Sequence, residues 1–110
     1  MSTSEKNNLN SEGYLENYYD NGQLRYKCNY VNGEFDGCMK YYYENGKLKC
    51  KGNYKNGIQD GLWEYYYDNG QLSLKGNYKI IVHKKTARDG LWEEYNTNGN
   101  LLKETFYANI

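Results

Sequence analysis

The dipeptide Asn-Gly occurs at Asn21-Gly22, Asn45-Gly46, Asn69-Gly70 and Asn98-Gly99, at spacings of 24, 24 and 29 residues. Four more columns keep that register. Gly13, Gly37, Gly61 and Gly90 open the units, and Tyr18, Tyr42, Tyr66 and Tyr95 stand three residues before each turn. Leu24, Leu48, Leu72 and Leu101 follow each turn, and Tyr30, Tyr54, Tyr78 and Tyr107 close each unit. Five columns in register across four copies define an internal repeat, which restricts the chain to an array of like supersecondary units. The units are 13–36, 37–60, 61–89 and 90–110. The third carries an insertion at 80–88 and the fourth, with Asn96, Lys103, Glu104 and Phe106, reads as a cap. Residues 1–12 are polar and read as a flexible N-terminal arm with little to bury.

Asn-Gly between alternating runs is a hairpin signal, because both central residues of a type I′ turn need positive φ. A two-residue turn at Asn69-Gly70 predicts Tyr67 opposite Leu72, Glu64 opposite Lys75, and Trp63 opposite and over Gly76. Trp63, Tyr65 and Tyr67 then share one face, and Leu62, Glu64, Tyr66, Ser73, Lys75 and Asn77 the other, since strand side chains alternate. Weaker Asn-Gly pairs at Asn32-Gly33 and Asn56-Gly57 join successive units, and the second places Cys50 against Trp63. No stripe with a 3.6-residue period survives the recurring glycines. The expected fold is all-β: an elongated single-layer antiparallel meander of about eight strands, about 35 Å long at strand spacing.

The run from Asp60 to Gly70, followed by Leu72, Lys75-Gly76 and Tyr78, resembles the MORN repeat in its bacterial variant form, over nearly all of residues 13–110. The second and third units carry the resemblance best. The first has Leu15 where Trp is usual and Cys28 where Gly is usual. The resemblance implies stacked hairpins used for binding, no catalytic residues, and kinship with the YwqK-like antitoxin family; MORN repeats are also linked to membranes and scaffolding.

Composition narrows function by exclusion. The chain has 14 basic and 14 acidic residues, so bulk charge does not drive it to nucleic acid. Three cysteines without close pairing make neither a disulfide framework nor a zinc site; Cys28 and Cys50 are expected on the apolar face and Cys38 on the other. No apolar run approaches the roughly 20 residues of a membrane-spanning helix, no signal-peptide pattern opens the chain, and a cytoplasmic setting is expected. His83, the single histidine, has no nucleophilic partner set, and the turn aspartates Asp20, Asp36, Asp60, Asp68 and Asp89 read as backbone-capping residues. No enzyme, metal or cofactor is expected.

Two candidate binding surfaces remain. One is the aromatic face: Tyr41, Tyr43, Trp63, Tyr65, Tyr67 and Trp92, which a one-layer sheet leaves to pack by curling, to pair as a homodimer, or to receive a partner. The other is basic. By unit the net charge runs −2, +3, +2 and −2, with Lys27, Lys51 and Lys75 in one column about 10 Å apart. Asn29, Asn53 and Asn77 run beside that column. The insertion adds His83, Lys84, Lys85 and Arg88. A chain read as lacking a catalytic domain and an anchor is expected to act by covering something. The leading reading is a non-enzymatic module that inhibits a protein partner, a toxin or nuclease, by occlusion, as an antitoxin or immunity protein does. An inhibitor from a phage or mobile element against a bacterial defence nuclease follows the same logic. A scaffold or membrane-associated adaptor, and a nucleic-acid binder using the basic central repeats, are the alternatives of different class.

Overall fold

The computed structural model describes residues 12–82 and 84–108; the expected N-terminal arm, all but Glu12, and His83 lie outside them. Eight strands follow one another: β1 (Glu12–Tyr18), β2 (Leu24–Val31), β3 (Glu34–Tyr42), β4 (Leu48–Lys55), β5 (Ile58–Tyr66), β6 (Leu72–Val82), β7 (Lys85–Tyr95) and β8 (Leu101–Tyr107). They form one open antiparallel sheet in sequence order, with overall dimensions of 43 × 36 × 18 Å. Each repeat is a hairpin, and neighbouring hairpins are joined edge to edge.

The two kinds of Asn-Gly turn differ, although the same two-residue turn is expected of both. Within a unit the connection has three residues, not two. Tyr67 N–H donates to Gln71 O at 2.8 Å and Gly70 N–H to Tyr67 O at 3.0 Å, with positive φ at Gly70 but not at Asn69. That is a type I turn closed by a glycine in the left-handed region, and the residue it adds pairs Tyr66, rather than Tyr67, with Leu72. The type I′ turns lie between units, where Asn56 and Gly57 have φ of 52° and 86° and Lys55 pairs with Ile58.

Inside each unit the expected register holds: Trp63 pairs with Gly76, Glu64 with Lys75 and Tyr65 with Leu74. Between units it shifts. Cys50 pairs with Tyr65 and not with Trp63, because the β4–β5 register slips between Lys51 and Asn53, opposite Gly61 at φ 72°. A positive-φ glycine lets the strand bulge and carry extra residues there.

The bulge sets the core. The Trp63 ring lies over Gly52 of the preceding unit, and Trp92 lies over Gly76, where an added Cβ would stand 2.0 and 2.1 Å from the indole carbons. The expected Trp63–Gly76 cover is thus displaced by one unit: the two residues are backbone partners, while each indole reaches back to the previous hairpin. Its Nε1–H donates to the backbone there, Trp63 to Asn53 O and Trp92 to Asn77 O, both at 3.0 Å. Tyr54 and Tyr78 flank Trp63 edge-on, and Tyr78 meets Trp92 in the same way. Such aromatic pairs contribute about 0.5–1.5 kcal/mol each beyond area burial. At the first junction Met39 stands in the Trp column and Cys28 in the Gly column, and the two are register partners. At the end Thr105 fills the Gly column opposite Trp92, so β8 offers no bare backbone for another indole. Cys28 is buried, Cys50 half-buried and Cys38 exposed, as the face assignment predicts.

Candidate protein-binding face

The aromatic face is the core. Trp63 and Trp92 are 2% and 1% exposed, which removes both as contact residues. Each is covered by the glycine beneath and the tyrosines beside it, so the single layer needs no second sheet over them. Tyr41, Tyr43, Tyr65 and Tyr67 are half-buried on the same face, and their polar ends are engaged. The hydroxyls of Tyr65 and Tyr78 share a hydrogen bond at 3.0 Å, and Gln59 Nε2 donates to Tyr65 at 3.1 Å. Burial, aided by the Tyr78 hydroxyl, holds the Tyr65 phenol well above its ordinary range. Tyr43 donates to Tyr66 O at 2.6 Å and Tyr67 to Tyr95 O at 2.7 Å, while the Lys49 ammonium sits over the rings of Tyr41 and Tyr43.

The basic insertion does not form a free cationic patch among the described residues. Arg88 lies 4.3 Å over the Trp92 ring and donates from Nη1 to Tyr107, which makes it part of the core packing. Lys84 forms an ion pair with Glu34 and donates to Asn56 O at 3.2 Å. Lys85 stays exposed. The insertion lengthens the β6–β7 hairpin and carries Lys84 back across the tips of both earlier inter-unit hairpins.

The outer face carries the exposed groups. One register row crosses all eight strands as Glu16, Lys27, Lys40, Lys51, Glu64, Lys75, Glu93 and Glu104. The expected lysine column is therefore real, and Lys40 stands inside it. Glu64 and Lys75 face each other in register, yet the ion pairs run between units: Lys51 to Glu64 at 3.5 Å and Lys75 to Glu93 at 3.7 Å. Exposed pairs of this kind contribute about 0.2–1 kcal/mol. Lys40 has a lysine on either side and forms no ion pair among the described residues.

The next row outward was not foreseen as a surface. It contains Tyr14, Leu62, Leu91 and Phe106, which are 44%, 50%, 48% and 73% exposed. Asn29 pairs with Tyr14 and Asn77 with Leu62, while Asn53 faces the exposed Cys38. The signal was present in the sequence: Leu62 and Leu91 sit next to the buried Trp63 and Trp92, and alternation turns one outward whenever the other turns inward. These exposed apolar side chains alternate with asparagines and lie beside charge, a surface better suited to a macromolecule than to small-molecule chemistry. No cluster of His, Cys, Asp or Glu among the described residues is placed to hold a metal ion. No helix among them is long and apolar enough to cross a membrane.

An open array of stacked hairpins with a self-packed inner face and an apolar, charge-rimmed outer face belongs to the class of repeat-built binding scaffolds. The MORN repeat variant model matches residues 11–32, 35–56, 59–79 and 88–109, and the chain belongs to that family. MORN repeats are binding repeats that engage proteins or membranes. Searches of curated proteins and of solved structures returned no match.

Proposed function

We propose that this protein binds another protein through its outer face and inhibits it by occlusion, in the manner of an antitoxin or immunity protein. The observation that carries the reading is the run of Lys27, Lys40 and Lys51 on the outer face, whose other strands expose Leu62 and Leu91. Like charges directly opposite on neighbouring strands destabilise a sheet. Lys40, with a lysine on either side, therefore opposes the fold, and an acidic partner surface would relieve that repulsion while Leu62 and Leu91, farther along the same face, bury against apolar groups. The partner expected from this chemistry is a protein that presents an acidic patch and, next to it along the sheet, an apolar one.

The test is affinity capture from the native cell, read by mass spectrometry, with the unaltered protein and with a Lys40→Glu, Lys51→Glu variant. One protein enriched by the former and lost by the latter, whose own activity falls when an equimolar amount of this protein is added, supports the reading. A partner retained equally by the charge-reversed variant, or one whose activity is unaffected, contradicts it. Liposome pelleting and salt-dependent RNA or DNA binding, run on the same two proteins, identify a membrane or nucleic-acid ligand instead.

A further inference from the structure

A cleft of about 760 Å³ opens between the β4–β5 tip and the long β6–β7 hairpin, lined among others by Ile58, Asp60, Tyr78, Ile80, Lys84 and Asp89. Its origin is visible by comparing successive units. One unit earlier, the equivalent place is filled by the chain itself. Asn56 N–H donates to the Asp36 carboxylate at 3.2 Å and Gly57 N–H to Phe35 O at 2.9 Å, so the tight Asn56-Gly57 turn sits on the end of β3. Asp60 occupies the Asp36 column. The residue that would donate to it, Ile80, instead pairs with Thr86 in the lengthened hairpin. Pairing of β5 with β6 ends at Gly61 and Tyr78, as that of β3 with β4 ends at Gly37 and Tyr54, but beyond Tyr78 the strand runs on into the β6–β7 hairpin. The Asp60 carboxylate accepts no hydrogen bond from any described residue, and Lys84, reaching back to Asn56 and Glu34, closes the far side.

We infer that this cleft is a vacated turn seat, and that it takes a tight β-turn of a partner polypeptide whose tip presents two successive backbone N–H groups. The complementarity is the one seen at the neighbouring seat: a carboxylate for the first N–H, a small tip residue that clears the strand end, and apolar walls from Ile58 and Ile80. Asp89 on the opposite wall adds a second acceptor and favours a donor-rich, non-acidic tip. The site adjoins the outer-face rows, since Asp60 pairs with Asn53 and Asp89 with Asn77, but it uses neither Lys40 nor Lys51, so the peptide titration and the charge-reversal capture can fail independently.

The probe is a cyclic hairpin peptide with the tip sequence Tyr-Lys-Asn-Gly-Ile-Gln, copied from residues 54–59, titrated into the isotope-labelled full chain and followed by amide chemical shifts. Saturable shifts at Asp60, Ile80, Asp89 and Gly90 are expected. A peptide N-methylated at the Asn and Gly nitrogens should bind at least about tenfold more weakly, as expected for the loss of a hydrogen bond to a charged acceptor. Asp60→Ala should weaken binding of the unmodified peptide by a similar factor while preserving the amide spectrum elsewhere. No saturable shift at millimolar peptide, or equal binding of the N-methylated peptide, overturns the inference. The N-methylated arm leaves the protein unaltered, so it decides the matter even if Asp60→Ala perturbs folding.

Discussion

The two ends of the hairpins differ in how strictly they repeat. At the end with three-residue loops, each loop is tied to the next by the same pair of bonds. Tyr19, Tyr43 and Tyr67 donate to Tyr42, Tyr66 and Tyr95 carbonyls, and Asn21, Asn45 and Asn69 donate to Glu44, Asp68 and Thr97 carbonyls. At the other end the Asn32-Gly33 and Asn56-Gly57 turns share their geometry, and the third junction breaks the pattern. Asn56-Gly57 packs down on β3, whereas the following hairpin is longer and, among the described residues, reaches back through Lys84. The strict end fixes the pitch of the array, and the variable end is free to carry recognition. Repeat arrays owe their stability to nearest-neighbour contacts, so a ladder along one end is sufficient to hold the register while the other end diverges.

That contrast can be broken most severely in the body of the sheet, which both ends depend on. Trp63→Ala should cost about 3–5 kcal/mol, as expected for a fully buried indole, measured by urea unfolding. Stability close to that of the unaltered protein would mean the ring is not core. Gly76→Ala comes next. Its Cβ would stand 2.1 Å from the Trp92 indole, and overpacking of this kind costs about 1–3 kcal/mol. Cys28→Ala is the control, since the methyl is smaller than the thiol already present.

Alkaline pH probes the same core through titration. Burial pushes the Cys28 thiol up from 9.0 to about 11, and burial also raises the Tyr65 phenol. From about pH 9 the unfolded chain releases the Cys28 proton and the folded chain does not. The unfolded state then binds fewer protons, and stability falls as pH rises from about 9 to 11. Urea midpoints across that range should fall, and the Cys28→Ala variant should show a shallower decline. A midpoint that rises through this window would be incompatible with a buried thiol.

The smallest effects separate the two ends. Tyr43→Phe, at the strict end, removes one inter-unit hydrogen bond and should cost about 1 kcal/mol. Lys84→Ala, at the variable end, removes exposed contacts and should change stability by less than about 0.5 kcal/mol. Equal costs for the two, in the same unfolding experiment, would remove the division between a holding end and a recognising end.

Much of this was legible in the residues. Strand number, order and the pairing of Glu64 with Lys75 follow from the Asn-Gly spacing and alternation alone. Turn type does not, because Asn-Gly suits both a two-residue turn and the end of a three-residue one. The deciding factor is that the loop begins at Asp68, a matter of hydrogen-bond closure rather than dipeptide preference. The slip at Gly61 was hidden for a related reason: a glycine in a strand signals a bulge without saying how many residues it adds. That slip places Gly52 rather than Cys50 beneath Trp63, while Gly76 stays its backbone partner. The aromatic face was identified as a set with its role left open between packing and binding, since composition does not show that each indole has a bare glycine backbone to lie on. Arg88 and Lys84 read as a basic patch because their partners, Trp92, Tyr107 and Glu34, are distant in sequence or in another unit.

The account's central claim is that the inner aromatic face packs and the outer face binds. It is tested most directly by measuring partner affinity and thermal unfolding together on a Leu62→Glu, Leu91→Glu variant, using the protein captured from the native cell. Both leucines are about half exposed, so the account predicts an unfolding midpoint close to that of the unaltered protein and at least a tenfold loss of affinity. Full affinity with an unchanged midpoint would contradict it and return the binding surface to the tyrosines of the inner face.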